Sequence, residues 1–241
     1  VMEDLSDLTM VDQSTGMSFE QALAAVKVLA NIHAVWWGKV ETEELEWIPS
    51  MVGPRIEYVD QVLPQIYPVF AEAFAPTLPE GGAELTEQFS RSYLSLNKKL
   101  AERAPWTLAH QDYRVENMLF GDVNSNQVVV IDWQGIGRGP GAYDLAYLLG
   151  GSMDTGLRRT HERELVAAYQ ARLADNGVED YSFEKTWEDY GFAHLLGGLA
   201  TSIFAGGTLD LSNERGVGLI TMMANRHVTA ALDHGGFKDL S

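Results

Sequence analysis

The chain has 241 residues, 46% of them hydrophobic and 21% charged, which supplies enough apolar length for a substantial core and lacks the bias of a disordered chain. Its 17 Lys and Arg stand against 34 Asp and Glu, and a formal charge of −17 argues against a nucleic-acid backbone or an anionic membrane surface as the main partner. A cationic ligand would be attracted, although the same acidity serves solubility; the absence of cysteine removes disulfides and thiolate metal sites.

In chain order, Ser18 and Gln21 form a capping-box pattern, and Ala22, Val26, Leu29, His33 and Trp37 recur at helical spacing with Glu20, Lys27 and Asn31 on the other side. The spacing predicts an amphipathic helix of about five turns. On its apolar stripe His33 reads as a hydrogen-bonded core histidine, and Trp36 and Trp37 as packing groups. Prolines at 49, 54, 64, 68, 76 and 79 predict short helical pieces instead of one rod. A longer helix is expected from Glu84 to Arg103, ended by Pro105.

The next segment carries chemistry. Leu108-Ala109-His110-Gln111-Asp112-Tyr113-Arg114-Val115-Glu116-Asn117 places an Asn five positions after an Asp, and the apolar Val128 to Ile131 then leads to Asp132-Trp133-Gln134. Phosphoryl transfer needs one carboxylate to orient and deprotonate a hydroxyl and two hard oxygen ligands for Mg²⁺ on the phosphates. Asp112 suits the first role, Asn117 and Asp132 the second. Arg114 reads either as a charge on the transferred phosphate or as a loop Arg paired with Glu116, and His110 as a scaffold residue. Residues 122–126 read as a hairpin turn, and the alternating Gly135, Gly137, Gly139 and Gly141 as a flexible remnant of an activation segment. Gly139 to Tyr147 opens a helix with Asp144 near its start, where the carboxylate can accept main-chain N–H bonds from the catalytic loop or face the helix dipole.

Further on, Arg158 to Ala174 reads as a helix closed by Asn176-Gly177, Ser182 caps another running through Trp187 and Tyr190 to Leu195, and Asn213 caps one leading toward His227. Acids on these late helices are expected on solvated faces. Other chemistries fail: His161-Glu162-Arg163-Glu164-Leu165 lacks the second His of a zinc protease, and no glycine loop leads into Gly-Lys-Ser/Thr. His194 to Ala205 is too short and too rich in glycine to cross a bilayer, and the N-terminal acids are unlike a signal peptide, so a cytoplasmic location is expected. No repeat or linker divides the chain, which predicts one domain over 1–241.

The segments His110 to Asn117, Ile131 to Gln134 and Gly139 to Tyr147 resemble the catalytic loop, metal-binding Asp and following Asp of the aminoglycoside phosphotransferase and choline kinase superfamily, and most of all its ecdysteroid-kinase-like branch. The resemblance implies an α+β, mainly α chain with the fold of a protein-kinase C-terminal lobe, and ATP- and Mg²⁺-dependent phosphorylation of a small-molecule hydroxyl. Residues 1–6 look like the hinge strand of that family, which would lay Met2, Glu3, Asp4 and Leu5 along the adenine through main-chain groups, with 108–134 as the catalytic and metal-binding segment and 157–241 on the substrate side. Two departures stand out. Gln111 replaces a usual Gly, and no glycine loop or Lys precedes the hinge, so the nucleotide-covering lobe is expected upstream of Val1. A kinase-like binding module without activity is the alternative reading. A protein-kinase reading is weaker, because Asp132-Trp133-Gln134 stands for Asp-Phe-Gly.

Overall fold

The computed structural model describes residues 4–122 and 127–240. Strand β1 (Thr9–Met10) is followed by α1 (Phe19–Trp36), α2 (Pro54–Phe74), α3 (Gly82–Ser90) and α4 (Tyr93–Arg103). Next come β2 (Trp106–Ala109), β3 (Met118–Phe120), β4 (Val128–Val130) and β5 (Gly137–Pro140), and then α5 (Ala142–Ser152), α6 (Thr155–Asp175), α7 (Phe183–Ala193), α8 (Gly197–Thr208), α9 (Glu214–Asp233) and the short α10 (Phe237–Leu240). The chain is α+β and mainly helical. Two small antiparallel sheets, ordered β1-β3-β4 and β2-β5, carry the loops of interest.

Helix α1 starts where the sequence places it: Ser18 Oγ accepts from Gln21 N, and the Gln21 side chain accepts from Ser18 N at 2.9 Å. Its alanines bury completely at 22, 25 and 30, letting α6 lie close alongside. Helix α5 is buried at every position, as a helix apolar on all sides must be, and α6, α7, α8 and α9 pack around it. The core is one contiguous hydrophobic cluster running from Met17 to Ala231, with a small satellite of Val40, Leu45, Ile48 and Leu108.

Several elements depart from expectation. Helix α2 is continuous through Pro64 and Pro68. These prolines stand four apart on the exposed side, where the carbonyls they leave unpaired meet water, while Ile56, Leu63, Phe70 and Phe74 bury the opposite side, and α8 packs against the helix. The helix expected over 84–103 is two, parted at Arg91 and Ser92. Ser90 Oγ and Ser92 Oγ donate to the carbonyls of Glu87 and Gln88, and Asp60 Oδ1 accepts from Leu94 N at 2.8 Å to start α4. Helix α7 stops at Ala193, short of Leu195, and a turn of backbone bonds leads into α8.

The glycine segment is no flexible remnant, since Gly137–Pro140 pairs residue for residue with β2. Glycine is needed there for close approach: a Cβ on Gly139 would fall 2.3 Å from Met51 Sδ. The hinge strand expected at 1–6 falls partly outside what the structure describes. Val1, Met2 and Glu3 lie outside the described residues, and the Asp4 carboxylate accepts from Ser6 N at 3.0 Å, turning the chain before Thr9 pairs with Phe120. Residues 123–126 of the expected turn also lie outside the described residues; Phe120 pairs with Val128 on either side of them. Among the described residues, no helix is long and apolar enough to cross a membrane.

Candidate active site

Strand β2 delivers His110 to Arg114 as a loop, a short 3₁₀ turn (Val115–Asn117) follows, and β3 leads away. Strand β4 runs back beside β3 and leads into Ile131, whose N–H donates to Asn117 O at 3.0 Å. His110 closes the circuit. Its Nδ1 lies 3.3 Å from Asp112 N and accepts, so Nε2 carries the proton and donates to Ile131 O at 2.9 Å. His110 thereby ties the Asp112 loop to the residue before Asp132, and its ring packs 4.7 Å from that of Trp133.

Asp144, fully buried in the first turn of α5, accepts from His110 N at 2.6 Å and Gln111 N at 2.8 Å. His33 Nε2 lies 3.3 Å from the same carboxylate, and His33 Nδ1 lies 2.7 Å from Tyr169 Oη. His33 is thus a hydrogen-bonded core histidine, buried at the contact of α1 and α6. A carboxylate with two main-chain donors and a helix N-terminus behind it holds the loop from beneath.

Asp112 is half-buried, and its carboxylate is held on several sides. Asn117 Nδ2 donates to Oδ2 at 2.8 Å and also to the Asp112 carbonyl at 2.8 Å, Tyr147 Oη donates to Oδ1 at 3.1 Å, and Arg114 Nε lies 3.2 Å from Oδ1. The second guanidinium contact of Arg114 is a close pair with Glu116. Desolvation pulls the Arg114 pKa down, but Asp112 and Glu116 outweigh it and hold it above its ordinary value. Burial, reinforced by the Asp112 charge, raises the Tyr147 hydroxyl, which stays protonated as a donor.

Asp132 projects into solvent from a left-handed backbone position, φ +61°, with Gln134 Nε2 3.4 Å from its Oδ2. The donor set a Mg²⁺ ion would need, one amide and one carboxylate oxygen, is thus carried by Asn117 and Asp132 on segments bonded to each other. Gln111 adopts φ +66°, the conformation a Gly would take freely, and its side chain lies over Gly137, where a Cβ would fall 1.7 Å from Nε2. Arg55 of α2 donates to Gln111 Oε1.

Beside Tyr147 a cavity of about 270 Å³ is lined by Val59, Tyr93, Tyr143, Ala200, Thr201 and Phe204. Tyr147 Oη is 3.5 Å from Thr201 Oγ1, which lines this mostly apolar space, and 3.1 Å from Asp112 Oδ1, so Thr201 and Tyr147 stand in series between the space and the Asp112 carboxylate. The structure thus brings His110, Asp112, Arg114, Asn117 and Asp144 into one bonded network with the Asp132 segment. Among the described residues, Asp4 bonds to Ser6 and Leu5 to Leu8, and neither is joined to this network. Sequence reasoning read His33 as a core histidine without its link to Asp144, and missed Tyr147, Thr201 and Arg55. Tyr147 was within reach, being one turn beyond Asp144 on the same helix.

The family described as ecdysteroid kinase-like matches residues 1–179. No curated protein sequence matches the chain. Among solved structures, a candidate aminoglycoside phosphotransferase from Ralstonia eutropha is similar at TM-score 0.54 and 16% identity, over 96% of this chain and 72% of that one. An ethanolamine kinase from Plasmodium vivax is similar at TM-score 0.50 and 15% identity, over 94% of this chain and 64% of that one. The kinase-like fold is therefore shared with these proteins.

Proposed function

Because the chain belongs to the ecdysteroid kinase-like family, we propose that it serves an ATP- and Mg²⁺-dependent phosphotransferase, moving the γ-phosphoryl group to a hydroxyl of a small molecule. The observation that carries this reading is the Asp112 carboxylate, half-exposed and fixed by Tyr147, Asn117 and Arg114 on the loop that is bonded to the Asp132 segment. Asp112 would take the proton of the accepting hydroxyl and aim that oxygen. Asn117 and Asp132 would hold the metal, which when bound neutralises phosphate charge. Arg114, already paired with two acids, fits orientation of Asp112 better than direct contact with phosphate. Adenine contacts are assigned to main-chain groups of Met2, Glu3, Asp4 and Leu5, the first two outside the described residues.

The cavity lining supports an acceptor whose hydroxyl sits on an apolar body. No acid lines that space, so attraction of a cationic substrate would fall to acids elsewhere on this acidic chain. ADP release by the full-length protein over a panel of alcohols, beside Asp112→Ala and Asp112→Asn, tests the reading. Turnover is expected to fall by about 10²–10⁴-fold in both variants. Equal rates would remove Asp112 from the chemistry, and no turnover in any form would leave a kinase-like binding module.

A further inference from the structure

Away from Asp112, three helices bring a second set of chemical groups together. Glu162 on α6, His194 at the end of α7 and His234 at the end of α9 each offer a ligand atom within 4.8 Å of the other two. Glu162 and His194 are buried and His234 nearly so. Neither ring nitrogen of His194 has a hydrogen-bond partner, although the residue is only 3% exposed. An imidazole unpaired at that depth is costly, and a coordinate bond removes the cost.

The spacing also suits a metal. His234 Nε2 is 3.3 Å from Glu162 Oε2, at the long end of hydrogen-bond distances. It is close to the edge of a ligand tetrahedron around Zn²⁺, roughly 3.4 Å for bonds of about 2.1 Å. The His194 and His234 rings lie side by side, centroids 5.1 Å apart. Arg158 and Tyr190 both donate to Glu162 Oε2, at 2.5 and 2.9 Å, the outer support that orients a ligating carboxylate. Arg158 is also paired with Asp233, so this guanidinium and its two carboxylates sum to one negative charge, and Arg159 reaches Asp233 from the exposed side.

We propose that Glu162, His194 and His234 form a site for one divalent cation of borderline softness, Zn²⁺ in preference to Mg²⁺, with the remaining position open to water. Its role is to fasten the ends of α7 and α9 to α6, and it does not depend on the phosphotransferase reading. The intact, untagged protein, stripped by a chelator, is titrated with Zn²⁺ by calorimetry and with Co²⁺ by visible absorption, in millimolar Mg²⁺ to occupy hard oxygen sites. One equivalent is expected to bind, with the intense bands of tetrahedral Co²⁺ and a raised melting temperature. His194→Gln should weaken binding by at least about tenfold, while His161→Gln on the surface leaves it unchanged. Should His194→Gln fail to fold, His234→Gln, at the less buried ligand, gives the same comparison. No binding by the native protein, or undiminished binding in the ligand variant that folds, overturns the site.

Discussion

Asp144 is a charged group with no access to water, and its stability rests on two main-chain donors and His33. Asp144→Ala leaves those donors unpaired and should cost about 3–5 kcal/mol, measured by urea unfolding, with loss of any turnover. At Tyr147 the change is subtler. Tyr147→Phe keeps the ring in the core but removes the donor to Asp112, so stability should drop by about 1 kcal/mol and turnover more than substrate binding, read as kcat against KM. Gln111 holds a left-handed conformation, which makes Gln111→Gly tolerable within about 1 kcal/mol and Gln111→Val destabilising by roughly 2 kcal/mol or more, checked by thermal unfolding. His110, Asp112, Asn117 and Asp132 could be read from the sequence because their spacing lies within one short stretch. Arg55, His33 and Thr201 reach the same network from far along the chain, and nothing in local spacing announces such contacts.

Helix starts were the most legible elements. Ser18, Ser182 and Asn213 each cap the helix their side chains suggest, because a cap is a local bond. The prolines of α2 were misleading for the opposite reason: propensity counts the lost N–H, whereas burial of Leu63, Phe70 and Phe74 decides the helix. Pro64→Ala should accordingly stabilise the protein by about 1 kcal/mol or more, with the gain visible in the urea midpoint. The glycines of β5 were read as freedom when they serve closeness, leaving room for the side chains of Gln111 and Met51.

At the scale of the whole molecule, burial of two histidines makes stability depend on pH. The His227 pKa is pushed down to about 3 by desolvation, helped by Arg226 and Arg158, and His194 is lowered for the same first reason. The unfolded chain binds these protons at about pH 6.5 and the folded one does not. Their contribution is therefore full above that pH and is lost as pH falls toward 3. In metal-free protein the unfolding free energy should decline below pH 6.5, by about 1.4 kcal/mol per pH unit for His227 alone, and His227→Gln should flatten that slope in urea titrations at several pH values.

Strand β1 is only two residues long, yet Thr9 and Met10 hold Phe120 and Leu119, three and two positions beyond Asn117. A clasp that small is weak by itself, and one cross-strand ladder connects it to the proposed magnesium ligand. A tug or twist on the leading segment is therefore delivered, through this easily undone fastening, to the turn that carries Asn117, giving the entry segment mechanical leverage over the Asp112 loop.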